Sequence, residues 1–221
     1  MQLFILILVF IIPIGTYLYR GFILNKYAVE ESLSNLNGLD ISRKILDVER
    51  MEEVIILETT DELQAKYDPN RKTIKFTKDV FNNSSITTTA VASFECAHAS
   101  LNRDTHVYYN LREKINPLFR YTSDIGYMVA LLGFLLNYLD LYYLGICLCS
   151  FGIIFELVTL PIEFEAKKRA ISFLKENGLV MPDEEEKVNT VINAYSLTYV
   201  ANLIGELRFI FNAVVDYFKK D

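Results

Sequence analysis

Glu95 and His98 are the two side chains of this chain whose types and spacing could do chemistry. They lie in the stretch Ser84 to Asn102, SSITTTAVASFECAHASLN, whose apolar and small residues predict a helix over 84–102. Side chains four apart on a helix sit about 40° apart around it. Two imidazoles at that spacing can hold one zinc ion while a carboxylate beside the first acts as base on the metal-bound water. In this H-E-x-x-H arrangement Glu95 stands at the second place and His98 at the fifth, but the first place is Phe94. A benzyl group has no lone pair to give a metal. The pattern points to metal-assisted hydrolysis and lacks one donor for it.

A catalytic zinc normally takes three protein ligands and keeps a fourth position open. Cys96 is one substitute donor, yet two residues from position 94 it faces about 200° away around the helix. A small buried apolar residue is its other reading. His106 could fold back after Asn102, or stand as a surface histidine. Phe94 itself could fill the space of an ion and an imidazole, since burying a Phe side chain contributes about 1.5–3 kcal/mol. Glu95 is then either a retained general base or a helix-face carboxylate, and His98 either a ligand or a satisfied polar residue.

The elements around the motif must position it. Asn83 or Ser84 can cap the helix. Thr87, Thr88 and Thr89 are poor helix formers, so packing must hold it more than propensity does. Val54 to Thr59 is rich in β-formers, Asp68-Pro69-Asn70 signals a turn, and Lys72 to Thr77 alternates polar and apolar, which predicts a β-hairpin or small sheet before the helix. Leu39 to Val48 predicts an amphipathic helix with Ile41, Ile45 and Leu46 on one side.

Outside this region the chain is apolar. Hydrophobic residues make up 52%, mean hydropathy is +0.22, and there are fourteen Tyr and fifteen Phe, which fits a partly membrane-embedded protein. A net charge of −6 with no basic face excludes non-specific nucleic-acid binding. Three cysteines give no disulfide framework. Residues 1–24 predict an uncleaved transmembrane anchor, with Arg20 and Lys26 on its C-terminal flank. Residues 125–160 predict a transmembrane helical hairpin linked around Asp140, and 161–221 further helices, the last from Val188 to Phe218. Arg103 to Tyr121 is polar and mixed, with Pro117 near its end, and Lys175 to Lys187 reads as a polar loop with an acidic run, Asp183 to Glu186, fit for a turn and helix start. The distribution of Lys and Arg predicts a multi-pass protein of the cell membrane with 25–124 in the cytoplasm. Glu156 inside an apolar span needs a partner, and Arg208 is a candidate.

Several blocks together resemble the bacterial membrane-bound neutral zinc metallopeptidases of the YugP type. They are the N-terminal anchor, the Tyr67-Asp68-Pro69 turn leading to Lys72-Thr73, and Asn-Ser-Ser-Ile (Asn83 to Ile86) before the motif helix. Leu160-Pro161-Ile162-Glu163-Phe164 follows the apolar hairpin, and Ala194 to Ala201 closes the series. The resemblance implies a mostly helical α+β fold: a membrane-anchored zincin-like structure with a small β-sheet and several transmembrane helices. It implies zinc as cofactor, His98 as a ligand, Glu95 as base and Glu163 as third ligand, with Phe94 at the place of the family's first histidine. The expected function is that of a catalytically impaired or inactive homologue. Such a protein binds peptide or membrane-protein partners, for instance by strand addition near Lys72–Thr77, and contacts lipid. The alternative is an active zinc endopeptidase with a substituted ligand. A third reading, independent of family, is a small membrane protein whose apolar hairpin assembles with other helices.

Overall fold

The computed structural model describes residues 2–60 and 65–218, and the side chains of some helical residues, His106 and Arg208 among them, lie outside the description. The elements in chain order are α1 (Gln2–Ala28), α2 (Gly38–Val48), β1 (Ile55–Thr59), β2 (Lys66–Asp68), β3 (Thr73–Thr77), α3 (Lys78–Asn82), α4 (Ile86–Asp104), α5 (His106–Leu135), α6 (Leu139–Glu176) and α7 (Pro182–Phe218). Backbone contacts divide the chain into two compact units. One comprises Tyr19–Asn110 and Ile162–Ser196; the other comprises Met1–Leu18, Leu111–Pro161 and Leu197–Asp221.

The first unit carries the sheet and the motif helix. Asn37 caps α2 by accepting the Asp40 N–H on its Oδ1 at 2.9 Å. Ile41, Ile45 and Leu46 share one face and are fully buried, as their spacing predicts. Gly38 is required where it stands, because a Cβ there would lie 2.3 Å from the carbonyl oxygen of Val80.

Asp68 shapes the turn between β2 and β3, its Oδ1 accepting the N–H groups of Asn70 at 3.0 Å and Arg71 at 3.2 Å. β3 turns Ile74 and Phe76 into the core, both fully buried. β1 pairs with β3 in parallel, Ile55 to Thr73 through Thr59 to Thr77, and β2 pairs antiparallel on the other side. The order β1-β3-β2 makes β3 the central strand. β3 is therefore not an edge strand: β1 lines one side of it from Thr73 to Thr77 and β2 the other from Thr73 to Lys75.

The motif helix α4 starts and ends two residues later than expected. Its N-cap is Ser85, whose Oγ accepts the Thr88 N–H at 3.1 Å. Ser84 is taken elsewhere, its carbonyl accepting from the Ser32 N–H at 3.1 Å, and the Asn83 N–H closes α3. Every residue from Ile86 to Asn102 is buried, so neighbours surround the helix. This is how three successive threonines remain helical. Thr89 Oγ1 donates back to the Ser85 carbonyl at 3.1 Å, and Thr87 Oγ1 donates to the Leu24 carbonyl of α1 at 2.8 Å.

The second unit is helical. A Cβ on Gly126 would meet Cys149 N at 2.6 Å, on Gly145 Ala130 N at 2.3 Å, and on Gly133 Tyr142 N at 2.3 Å. These three contacts run in opposite directions along α5 and α6, which therefore form a close antiparallel hairpin with backbone against backbone. The link lies one turn earlier than Asp140. Asn137 adopts φ +52°, and the Tyr138 N–H donates to the Gly133 carbonyl, a left-handed helix end that lets α6 begin at Leu139.

Leu118, Tyr121, Ile125, Met128, Leu132 and Leu135 recur every three or four residues on α5, and each is more than half exposed. An outward apolar stripe of this length suits lipid or another apolar surface. Among the described residues, α6 is the one helix long and apolar enough to cross a membrane. Both polar stretches are largely helical. Residues 106–121 belong to α5, which continues through Pro117, and α6 runs on to Glu176, leaving a short turn with Gly178 at φ +62° before α7. The acidic run does start a helix, with Asp183, Glu184 and Glu185 in the first turn of α7.

Candidate functional site

The expected site residues converge inside the sheet-bearing unit. His98, from the middle of α4, and Glu163, from α6, are both buried, and Nε2 of the imidazole lies 3.6 Å from Oε2 of the carboxylate. Further along the same two helices, Arg169 of α6 donates from Nη1 to Asp104 Oδ2 at 2.5 Å and to Ser100 Oγ at 3.0 Å. This clamp fastens α6 to α4 and holds Glu163 at the height of His98.

Glu95 takes part through the sheet. Its Oε2 accepts the backbone N–H of Tyr67, on β2, at 2.7 Å. Burial pushes the Glu95 carboxyl above its ordinary range, against the opposing pull of His98 and of the Tyr67 amide. Tyr67 is itself anchored, its phenol oxygen receiving a hydrogen bond from Asn102 Nδ2 at 3.0 Å. Burial raises that phenol too, while the Asn102 bond lowers it.

Phe94 occupies the remaining side. Its ring meets the imidazole of His98 edge-on, with centroids 4.8 Å apart and planes at 82°, and lies 5.7 Å from the ring of Tyr195 on α7. The guanidinium carbon of Arg20 stands 4.1 Å from the other end of this series, over Tyr195. Tyr109 of α5 completes the wall beside His98, with ring centroids 6.1 Å apart.

Of the substitutes for the absent donor, Cys96 does not reach the site. Cys96 lies against the Ser42 carbonyl of α2 at 3.9 Å, and burial pushes its thiol up to about 12, so it is no thiolate at neutral pH. The His106 side chain lies outside the described residues, as does Arg208, the partner considered for the buried Glu156. Among the described residues, no group of three or more His, Cys, Asp and Glu side chains is arranged to hold an ion. Among the described residues, the buried His98 Nδ1 has no hydrogen-bond partner, whereas a metal-bound imidazole ordinarily donates its second N–H to an acceptor. With an aromatic ring beside His98 in place of a further donor, these residues do not fit a catalytic zinc site.

Sequence reasoning reached Glu95, His98, Glu163 and Phe94 but not Asn102, Tyr109, Tyr195 or Arg20. The spacing of Phe94, His98 and Asn102, four residues each, was the available signal for Asn102. Tyr109, Tyr195 and Arg20 arrive from distant helices, and nothing local marks them.

The model of the family described as "Putative neutral zinc metallopeptidase" matches residues 2–216. A protein of Bacillus subtilis (strain 168), named "Putative membrane protease YugP", is 35% identical over 189 residues, which covers 84% of each chain. No solved structure matches the chain. The match over residues 2–216, together with the convergence of Glu95, His98 and Glu163, has one meaning: the chain belongs to this neutral zinc metallopeptidase family.

Proposed function

We propose that this chain is a catalytically inactive or severely impaired member of its family, one that keeps the fold and binds a peptide or membrane-protein partner. One observation carries the reading: the Phe94 ring packs against His98, where the motif calls for a nitrogen donor. A buried aromatic there replaces metal-ligand bonds with apolar contacts, so the fold persists without an ion. The partner-binding site then lies on a multi-pass membrane frame, with the sheet-bearing unit in the cytoplasm, as the Lys and Arg distribution favours. The exposed apolar stripe of α5 and the length of α6 support the membrane setting.

The approach of His98 and Glu163 to 3.6 Å favours one competing reading, an active zinc endopeptidase with an unrecognised ligand and Glu95 as general base. Metal analysis separates the two. Purified wild type is expected to hold far less than one zinc per chain, and Phe94→His is expected to gain zinc in a Glu163-dependent manner. Stoichiometric zinc in the wild type, lost on His98→Ala, together with peptide cleavage abolished by Glu95→Gln, would overturn the proposal.

A further inference from the structure

We propose that the cavity beside Tyr195 is a subsite for a carboxylate group of a bound peptide, with Arg20 as its recognition residue. The inference rests on the peptide-binding reading given above and adds the chemistry of the ligand. The cavity measures about 230 Å³ and lies wholly within the sheet-bearing unit, between the C-terminal part of α1, the β3–α3 junction, the first turns of α4 and Tyr195 of α7.

Arg20 supplies the charge. Its guanidinium is half-buried, lies over the Tyr195 ring with a hydrogen bond to the Tyr195 side chain, and has no ion pair with a carboxylate among the described residues. A partly desolvated, planar cation on a cavity wall attracts a planar anion, which it can take through two parallel N–H donors. Its contacts with Tyr195 hold the guanidinium before any ligand arrives, so less rotamer freedom remains to be lost on binding. Asp79, also on the wall, disfavours a doubly charged phosphate more than a singly charged carboxylate.

Position favours a peptide over a lipid headgroup. Tyr195 touches both Arg20 and Phe94, so the cavity adjoins the site built around His98. Ala65, on the cavity wall, leads directly into β2, whose Tyr67 holds Glu95. A cavity of this volume admits a side chain or a chain end.

The test uses the full-length protein in detergent micelles, titrated calorimetrically with alanine-based peptides. One pair is acetylated and amidated, with a central Glu or Gln; the other is all-alanine with a free or an amidated C-terminus. The expected result is at least about tenfold tighter binding of one carboxylate peptide than of its neutral twin, and the pair that shows it identifies a side-chain or a terminal carboxylate. Arg20→Gln is expected to erase that difference. Asp79→Asn, an exposed change that leaves the core untouched, is expected to strengthen the carboxylate peptide about twofold and its neutral twin not at all. Equal affinity within both pairs overturns the inference and leaves the peptide-binding reading standing. Absence of binding by all four peptides overturns both. Arg20-dependent binding to phosphatidylglycerol nanodiscs, with no carboxylate preference among the peptides, assigns the cavity to lipid and also overturns it.

Discussion

The ring of Phe94 and the imidazole of His98 meet edge to face at 4.8 Å, one turn apart on a helix that is buried on every side. In a T-shaped pair the positive edge of one ring meets the electron-rich face of the other, so the contact is attractive beyond the area it buries. Phe94 is 3% exposed, which makes it a core residue by any measure. At the centre of α4 this member of the family has a hydrocarbon contact beside His98.

Truncating that ring should therefore damage stability directly. Phe94→Ala is expected to cost about 3–5 kcal/mol, the range for a buried aromatic replaced by a methyl group. Phe94→Leu, which keeps most of the volume, should cost less than half of that. Thermal or denaturant unfolding in detergent measures both. A near-neutral Phe94→Ala would mean that the side chain is not part of the packing.

Glu95 sets a pH dependence of defined sign. Its carboxyl is raised above the ordinary 4.5, chiefly by burial, so the folded protein holds the proton more tightly than the unfolded chain. The stability this confers is complete below about 4.5 and declines as pH rises through the folded value. Glu95→Gln removes the ionisation and keeps an acceptor for the Tyr67 amide. Unfolding followed from pH 4 to pH 9 should fall less steeply in the variant, and parallel curves would exclude Glu95 as the source.

Asp104 works in the opposite direction. Partial burial pushes its carboxyl up, but hydrogen bonds from Arg169 and Arg103 overcome this and hold it below 3.8. Its contribution is present at neutral pH and is lost as the solution is acidified through the folded value. Asp104→Asn should flatten the acid limb of the stability curve. Because the clamp holds α6 against α4, Arg169→Gln should also perturb the Glu163–His98 spacing, visible as a changed His98 imidazole resonance by NMR.

The hairpin of α5 and α6 offers a steric test. Gly145 approaches Ala130 so closely that a Cβ would sit 2.3 Å from its backbone nitrogen. Gly145→Leu should force the helices apart, at a cost of at least about 1–3 kcal/mol. Protease sensitivity of the Asn137 turn and the melting temperature would both report it. Unchanged values for both would rule out the close packing.

What the sequence disclosed follows from local physics. The Asp68-Pro69-Asn70 turn, the alternation of β3 and the one-sided apolar face of α2 are encoded within a few residues, and each was readable. The helix over 106–121 was hidden because its polar and apolar residues do not form an inward apolar face; Leu118 and Tyr121 point outward, in line with Ile125 and Met128. The central position of β3 depends on β1, separated from it by a chain crossover, and no alternation pattern specifies which strand lies in the middle. At the site, Glu95, His98 and Phe94 come from one helix and were found together. The stack from Phe94 through Tyr195 to Arg20 gathers three helices and had no local signature.

The bond from Tyr67 N–H to Glu95 has its own outcome for any segment that reaches β2. That amide points away from β3, toward the outer edge of the sheet, and an incoming main-chain oxygen would have to claim the same hydrogen that the carboxylate now holds. One donor faces two rival acceptors, and the carboxylate competes best when ionised. A chain that displaced it would leave Glu95 buried without its amide, more ready to keep its proton, so occupancy of the sheet edge and the charge at the heart of α4 exclude one another.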